Sequence, residues 1–167
     1  MDAIKGRVWR FGDNVDTDVI SPSKYMEAPM EEQTKHVMEA INPRFPQEVK
    51  SGDIIVAGRN FGCGSSRETA PDLIKKLGVA AIVAESFARI FFRNSVAIGL
   101  PILECPKVFE AFEGGDILEL DLEKAMVKNL NKNITLEGKP LSPDILKVLK
   151  KGGITPLLKE IAQEQQK

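Results

Sequence analysis

A chain of 167 residues suffices for one domain around one hydrophobic core, burying roughly two thirds of its unfolded surface. Its Lys and Arg number 23 against 24 Asp and Glu, for a net charge of -1 spread along the sequence, which excludes the broad basic field that nucleic acid or an anionic membrane surface would need. There is no apolar signal core at Met1 to Gly6, no run long enough to span a bilayer, and too few cysteines (Cys63 and Cys105) for a disulfide scaffold or a self-contained iron–sulfur cluster, so the chain reads as one cytoplasmic domain over residues 1–167.

In chain order, Gly6 to Phe11 alternates polar and apolar residues and predicts an edge or half-buried strand, ended by Gly12 and Asp13-Asn14. Asp16 to Pro22 reads as a loop entrance anchored by Val19 and Ile20, with a mobile segment following through Pro29. Glu31 to Ile41 has helical composition and stops at Pro43, with Pro46 close behind. Asp53 to Ala57 is continuous apolar strand material, and Asp72 to Leu77 predicts a helix closed by Gly78. Val79 to Ala84 suits a strand covered on both faces, which completes a parallel βαβ unit. A short amphipathic helix over Phe87 to Asn94 and a strand over Ile98 to Leu103 follow. Asp116 to Leu122, Ala125 to Leu130 and Asn133 to Leu136 predict three short strands joined by tight turns. Ser142 as N-cap and Pro143 at the first helical position open a helix that ends at Gly152-Gly153. Thr155-Pro156 repeats that signal for a last helix, fraying from Gln163 onward. The class is α/β.

Between the strand at Asp53 and the helix at Asp72 lies Asn60-Phe61-Gly62-Cys63-Gly64-Ser65-Ser66-Arg67-Glu68, a glycine-rich turn that delivers two hydroxyls and a guanidinium to one place. Backbone N–H groups at such a strand-to-helix junction favour an anion. Ser65 with Glu68 three residues on is equally a capping box, in which the serine only accepts a hydrogen bond from the helix backbone. Gly62-Cys63-Gly64 lacks the third glycine of a dinucleotide fingerprint and no Gly-Lys-Ser/Thr follows, so neither common nucleotide-binding loop is supported. Cys63 has no nearby histidine to serve as base or co-ligand, and the single histidine, His36, reads as a surface residue on a charged helix.

Three stretches, Asn14 to Ile20, Asn60 to Glu68 and Glu85 to Asn94, followed by Gly99-Leu100-Pro101, resemble in order and spacing the small subunits of isopropylmalate isomerase and related hydro-lyases, which look like the swivelling domain of aconitase. The resemblance covers most of the chain and implies a swivelling β/β/α domain of the aconitase C-terminal type. It implies a hydro-lyase active only with a separate large subunit, as a heterodimer or heterotetramer, in which the large subunit and not this chain holds a [4Fe-4S] cluster whose iron acts as Lewis acid on the leaving hydroxyl. It maps the catalytic base, a serine alkoxide, onto Ser65, and carboxylate binding onto Ser66 and Arg67, whose planar fork suits bidentate pairing. Asp18 and Ser21 match an Asp-x-x-Ser pair that orients groups in aconitase-like sites.

Relatives differ in the segment that begins here at Tyr25, continuing Met26-Glu27-Ala28-Pro29-Met30. Homoaconitase-like members carry an arginine there for a third carboxylate. This chain has Glu27 instead and no arginine between Arg10 and Arg44, so Tyr25, Met26, Glu27 and Ala28 predict an alkyl group on the substrate. Isopropylmalate is the expected acid; 2,3-dimethylmalate, citramalate or citraconate, and homoaconitate are the alternatives within the class. A stand-alone anion-binding or regulatory module is the alternative outside it.

Overall fold

Seven strands form one sheet in the computed structural model, which describes residues 1–166. In chain order they are β1 (Ile4–Phe11), β2 (Ile54–Ala57), β3 (Ala81–Ala84), β4 (Ile102–Glu104), β5 (Ile117–Asp121), β6 (Met126–Asn129) and β7 (Ile134–Glu137). Their spatial order is β4-β3-β2-β1-β5-β6-β7. β1 joins two halves of different character: Val8 to Phe11 pair parallel with β2, while Ile4 to Arg7 pair antiparallel with β5. β2, β3 and β4 continue the parallel half, and β5, β6 and β7 form an antiparallel meander. β1 is therefore central, not an edge. Its polar–apolar alternation reports one wet face, and that alternation says nothing about how many ladder partners a strand has.

Composition explains the two halves. Every residue of β2 and β3 is fully buried, as continuous Ile, Val and Ala runs covered on both faces require. β5 and β6 instead alternate in burial, as antiparallel strands with one solvated face do. Phe45 packs edge-on against Trp9 and Phe11 with ring centroids 5.3 Å away in both cases, closing the core beside β1.

Among the described residues eight helices, most of them short, connect or cover the strands. α1 (Thr17–Ile20) stands where a loop entrance was expected, because Asp16 acts as an N-cap: its carboxylate accepts from the N–H of Asp18 at 2.6 Å and of Val19 at 3.2 Å. A single 3₁₀ turn, Ser23–Tyr25, follows. The helix expected over Glu31 to Ile41 is only α2 (Met30–Thr34); beyond it the chain turns, with Met38 in the left-handed region at φ 56° and its side chain wholly buried. Burial of Val37 and Met38 overrides helical composition there. α3 (Phe45–Glu48) accepts Pro46 in its first turn, where a missing N–H does no harm.

α4 (Thr69–Lys76) is the crossover between β2 and β3 and ends at Gly78, φ 89°, as expected. α5 (Arg89–Ala97) links β3 to β4, α6 (Val108–Ala111) follows β4, and α7 (Pro143–Lys150) starts at Ser142, whose hydroxyl accepts from the N–H of Ile145 at 3.2 Å. α8 (Ile154–Gln165) begins at a Gly153 cap, so Thr155 lies inside its first turn and caps nothing, and the helix continues past Gln163. Lys167 lies outside the described residues.

Candidate active site

The loop after β2 is folded by three left-handed residues, Asn60 (φ 61°), Gly62 (φ 84°) and Gly64 (φ 92°). Neighbours on two sides fix it. Gly62 donates to the carbonyl of Val15 at 2.7 Å, the N–H of Thr17 donates to the carbonyl of Cys63 at 2.8 Å, and Phe61 bridges to Phe87 after β3. The hydroxyl of Thr17, itself buried, donates to the carbonyl of Ser65 at 2.7 Å. Gly62 has no substitute, since a Cβ there would fall 2.2 Å from Cγ of Phe91.

Past this anchor the chain is open. Gly64, Ser65 and Ser66 are exposed, and among the described residues neither serine hydroxyl has a hydrogen-bond partner and none of the three backbone N–H groups has an acceptor. α4 does not begin until Thr69, with Glu68 at its N-cap position and no side-chain cap. Ser65 is therefore too far from the helix to serve as its cap, which removes the capping-box alternative. The junction still offers unengaged N–H donors, as an anion site needs, but the loop supplies them and the helix end does not.

Arg67 is held in place. Its Nη1 donates to the carbonyl of Ser21 at 2.6 Å and faces a carboxylate oxygen of Asp18 at 3.0 Å, while its side chain is only 17% exposed. Nη2 and Nε have no partner among the described residues, so one edge of the fork is free for an incoming carboxylate. Asp18 also accepts from the N–H of Ser23 at 3.2 Å. Ser21 is buried, with its hydroxyl 3.3 Å from that of Thr69. Neither Asp18 nor Ser21 lines the cleft; both act on Arg67.

Ser65, Ser66 and Arg67 form one wall of a cleft of about 180 Å³, with the first turn of α5 opposite. That turn brings Arg89, exposed and without an acidic partner among the described residues, into the same cleft. Thr17 and Arg89 are site residues the sequence reading did not single out. Arg89 lies in the Glu85 to Asn94 stretch, but nothing in one dimension places it beside the serines.

The Tyr25 to Ala28 segment is not part of this cleft. Met26 and Glu27 are exposed, and the segment is tied from beneath by buried Gln33, whose Nε2 donates to the carbonyls of Ala28 at 2.8 Å and Met26 at 3.4 Å. The Tyr25 ring stacks on His36 with centroids 3.6 Å apart and ring planes nearly parallel. His36 is thus half-buried in the turn after α2, between Glu39 at 2.8 Å and Glu32 at 3.4 Å, and is not a surface residue on a helix.

The Cys63 thiol is pushed up by burial and by the nearby Asp16 carboxylate, the opposite of what a nucleophilic or ligating thiolate needs. Among the described residues no group of three or more His, Cys, Asp or Glu side chains is arranged to hold a metal ion. No helix among them is long and apolar enough to cross a membrane.

A sheet with a parallel half, an antiparallel meander and flanking helices is the swivelling β/β/α class. Comparison with known proteins gives the class its family. The family model of the aconitase C-terminal domain matches residues 13–107. The chain is 50% identical over 159 residues to 3-isopropylmalate dehydratase small subunit 1 of Methanopyrus kandleri, covering 95% of this chain and 94% of that one. It is 49% identical over 164 residues to the isopropylmalate/citramalate isomerase small subunit of Methanocaldococcus jannaschii, covering 98% of both. A crystal structure of a 3-isopropylmalate dehydratase chain from the latter organism superposes with a TM-score of 0.92 at 42% identity, covering 99% of this chain and 98% of that one. The chain belongs to the aconitase C-terminal domain family and, within it, to the small subunits of 3-isopropylmalate dehydratase, a hydro-lyase that pairs such a subunit with a large one.

Proposed function

We propose that this chain, as one cytoplasmic domain over residues 1–167, is the small subunit of an enzyme that removes and returns water across adjacent carbons of 3-isopropylmalate. The observation that carries the reading is the open wall of the cleft: two serine hydroxyls and three backbone N–H groups stand unengaged beside an arginine with one free edge.

Ser65 is the base that takes the C–H proton beside a substrate carboxylate onto its Oγ. A serine hydroxyl is far too weak an acid to ionise unaided near neutral pH, so its oxyanion needs fixed donors and positive charge. The N–H groups of the loop and the guanidinium of Arg89 supply both. Ser66 and the free edge of Arg67 hold the carboxylate, while Asp18 and the carbonyl of Ser21 keep Arg67 in register. The [4Fe-4S] cluster of this enzyme class is assigned to the large subunit, since Cys63 and Cys105 are the only thiols here and have no co-ligands. The complex is a heterodimer or a multiple of it.

Both relatives named above carry isopropylmalate in their names, and the Methanocaldococcus jannaschii protein adds citramalate, which favours methylated malates as the second reading. Glu27 lies outside the cleft formed by this chain alone; in the pocket completed by the large subunit its carboxylate repels a third substrate carboxylate, which disfavours homoaconitate. Tyr25, Met26, Glu27 and Ala28 select the alkyl group once the large subunit completes the pocket.

The test is anaerobic reconstitution with the cognate large subunit and turnover on isopropylmalate, 2,3-dimethylmalate, citramalate and homoaconitate. Ser65→Ala assembles normally and loses between about 10²- and 10⁴-fold in kcat. Turnover near the native rate in an assembled Ser65→Ala complex refutes the base assignment, and preference for homoaconitate refutes the role given to Glu27.

A further inference from the structure

A second concavity of about 530 Å³ lies on the other side of α5, between that helix and the segment Lys139 to Ile145. Its apolar lining comes from Phe87, Phe92, Leu141 and Ile145, all only partly buried. Arg89 and Arg93 border it, exposed and without a hydrogen-bond or ion-pair partner among the described residues. The one carboxylate in the groove, Glu104, is already neutralised by Lys139 at 3.0 Å. In a chain of net charge -1, this is a local concentration of unpaired cations over an apolar floor.

Arg89 lines both this groove and the catalytic cleft, so the two are continuous across the start of α5. The cleft has an open wall and no metal ligands, and in the two-subunit reading the large subunit covers it. A stable interface buries on the order of 800 Å² per partner, far more than the rim of the small cleft provides. The footprint must spread, and the groove is the adjoining surface whose aromatic and aliphatic side chains are only partly covered. Partly buried apolar groups ringed by arginine are the composition from which interface anchors are drawn.

We infer that the groove between α5 and Lys139 to Ile145 seats a segment of the large subunit that inserts an apolar side chain between Phe92 and Ile145 and presents a carboxylate to Arg93. This rests on the two-subunit reading. Arg93 is a docking residue with no part in the chemistry.

The experiment titrates labelled small subunit with the purified cognate large subunit at low and high salt, then measures turnover at saturation. Arg93→Glu weakens binding about tenfold or more and flattens its salt dependence, because a like charge then faces the partner's carboxylate. It keeps native melting, since Arg93 is exposed and unpaired, and turnover per assembled complex stays within about twofold of native. Lys159→Glu, exposed on α8 and outside the groove, makes the same charge change and binds normally. Binding of Arg93→Glu at native affinity overturns the inference, as does an equal loss in Lys159→Glu. Self-association of the native chain that Arg93→Glu abolishes, with large-subunit affinity untouched, also overturns it in favour of a second copy as occupant. Ser65→Ala separates the two levels: if it binds but does not turn over while Arg93→Glu binds like native, only the docking surface is wrong. If the native chain does not bind the large subunit, the two-subunit reading falls as well.

Discussion

The guanidinium of Arg67 is bonded to the backbone carbonyl of Ser21 at 2.6 Å, across 46 positions of sequence, so the loop after β2 and the capped turn at Asp16 to Ser21 are one device. The arginine is preset before any substrate arrives, with Nη1 engaged and the Nε–Nη2 edge free. Preorganised donors of this kind lower the reorganisation needed when charge develops in the transition state.

Asp18→Ala tests that device. The carboxylate is 59% exposed on its side chain, and exposed ion pairs contribute under about 1 kcal/mol, so the variant melts close to native. Its kcat/KM in the reconstituted enzyme falls about tenfold, because a guanidinium tethered only to the Ser21 carbonyl is free to leave the carboxylate-binding geometry. Arg67→Lys loses more, about 100-fold, since an ammonium cannot pair bidentately while also holding Ser21. An Asp18→Ala enzyme with native kcat/KM would show that the pair does not position Arg67.

Gly62→Ala tests the anchor of the loop. The residue has φ 84°, and a Cβ would overlap the ring of Phe91, which itself packs in an aromatic cluster with Phe61 and Phe87. Left-handed strain and overpacking together destabilise by about 2 to 4 kcal/mol. The midpoint of urea unfolding should drop with an unchanged slope. A midpoint within error of native would mean that the loop can shift off Phe91.

Local chemistry made much of this legible from sequence. β2 and β3 are runs of Ile, Val and Ala that only a doubly covered parallel strand explains, and Ser142-Pro143 is a helix start in any context. What sequence could not decide was distance. Ser65 and Glu68 satisfy the capping-box pattern, yet α4 starts later because Cys63 and the Ser65 carbonyl are held by Asp16 and Thr17, remote in sequence. Composition over Glu31 to Ile41 favours a helix, but core burial of Val37 and Met38 wins. The stacking of Tyr25 on His36 and the support that Gln33 gives to Met26 and Ala28 are tertiary facts without a local pattern.

Gln33→Leu tests that support. The side chain is 7% exposed and satisfies two loop carbonyls, so an apolar replacement of comparable size leaves both without their donor, at a loss of about 1 to 3 kcal/mol. The larger effect is on selectivity: with Met26 to Ala28 unsupported, the ratio of kcat/KM for isopropylmalate over citramalate narrows while kcat on the smaller acid is retained. Equal losses on both acids would indicate a global defect and no specific role for the loop.

Cys105 gives the chain a stability change at alkaline pH. The residue follows β4, has no exposed surface, and its thiol is pushed from 9.0 up to about 11 by burial, with the Glu85 carboxylate adding to the effect. The folded state therefore keeps the proton after the unfolded chain has released it. Between pH 9 and pH 11 the native state binds more protons than the unfolded state, so unfolding free energy falls as pH rises and levels off above the folded value. A shift of this size is on the order of 2 to 3 kcal/mol. The measurement is the difference in unfolding free energy between the native chain and Cys105→Ala, taken below pH 9 and again near pH 11. Lysine and tyrosine titrations are common to both proteins and cancel in the difference. The advantage of the native chain at the lower pH shrinks or reverses at the higher one, and a difference that stays constant across the window would show that the Cys105 thiol ionises no later in the fold than outside it.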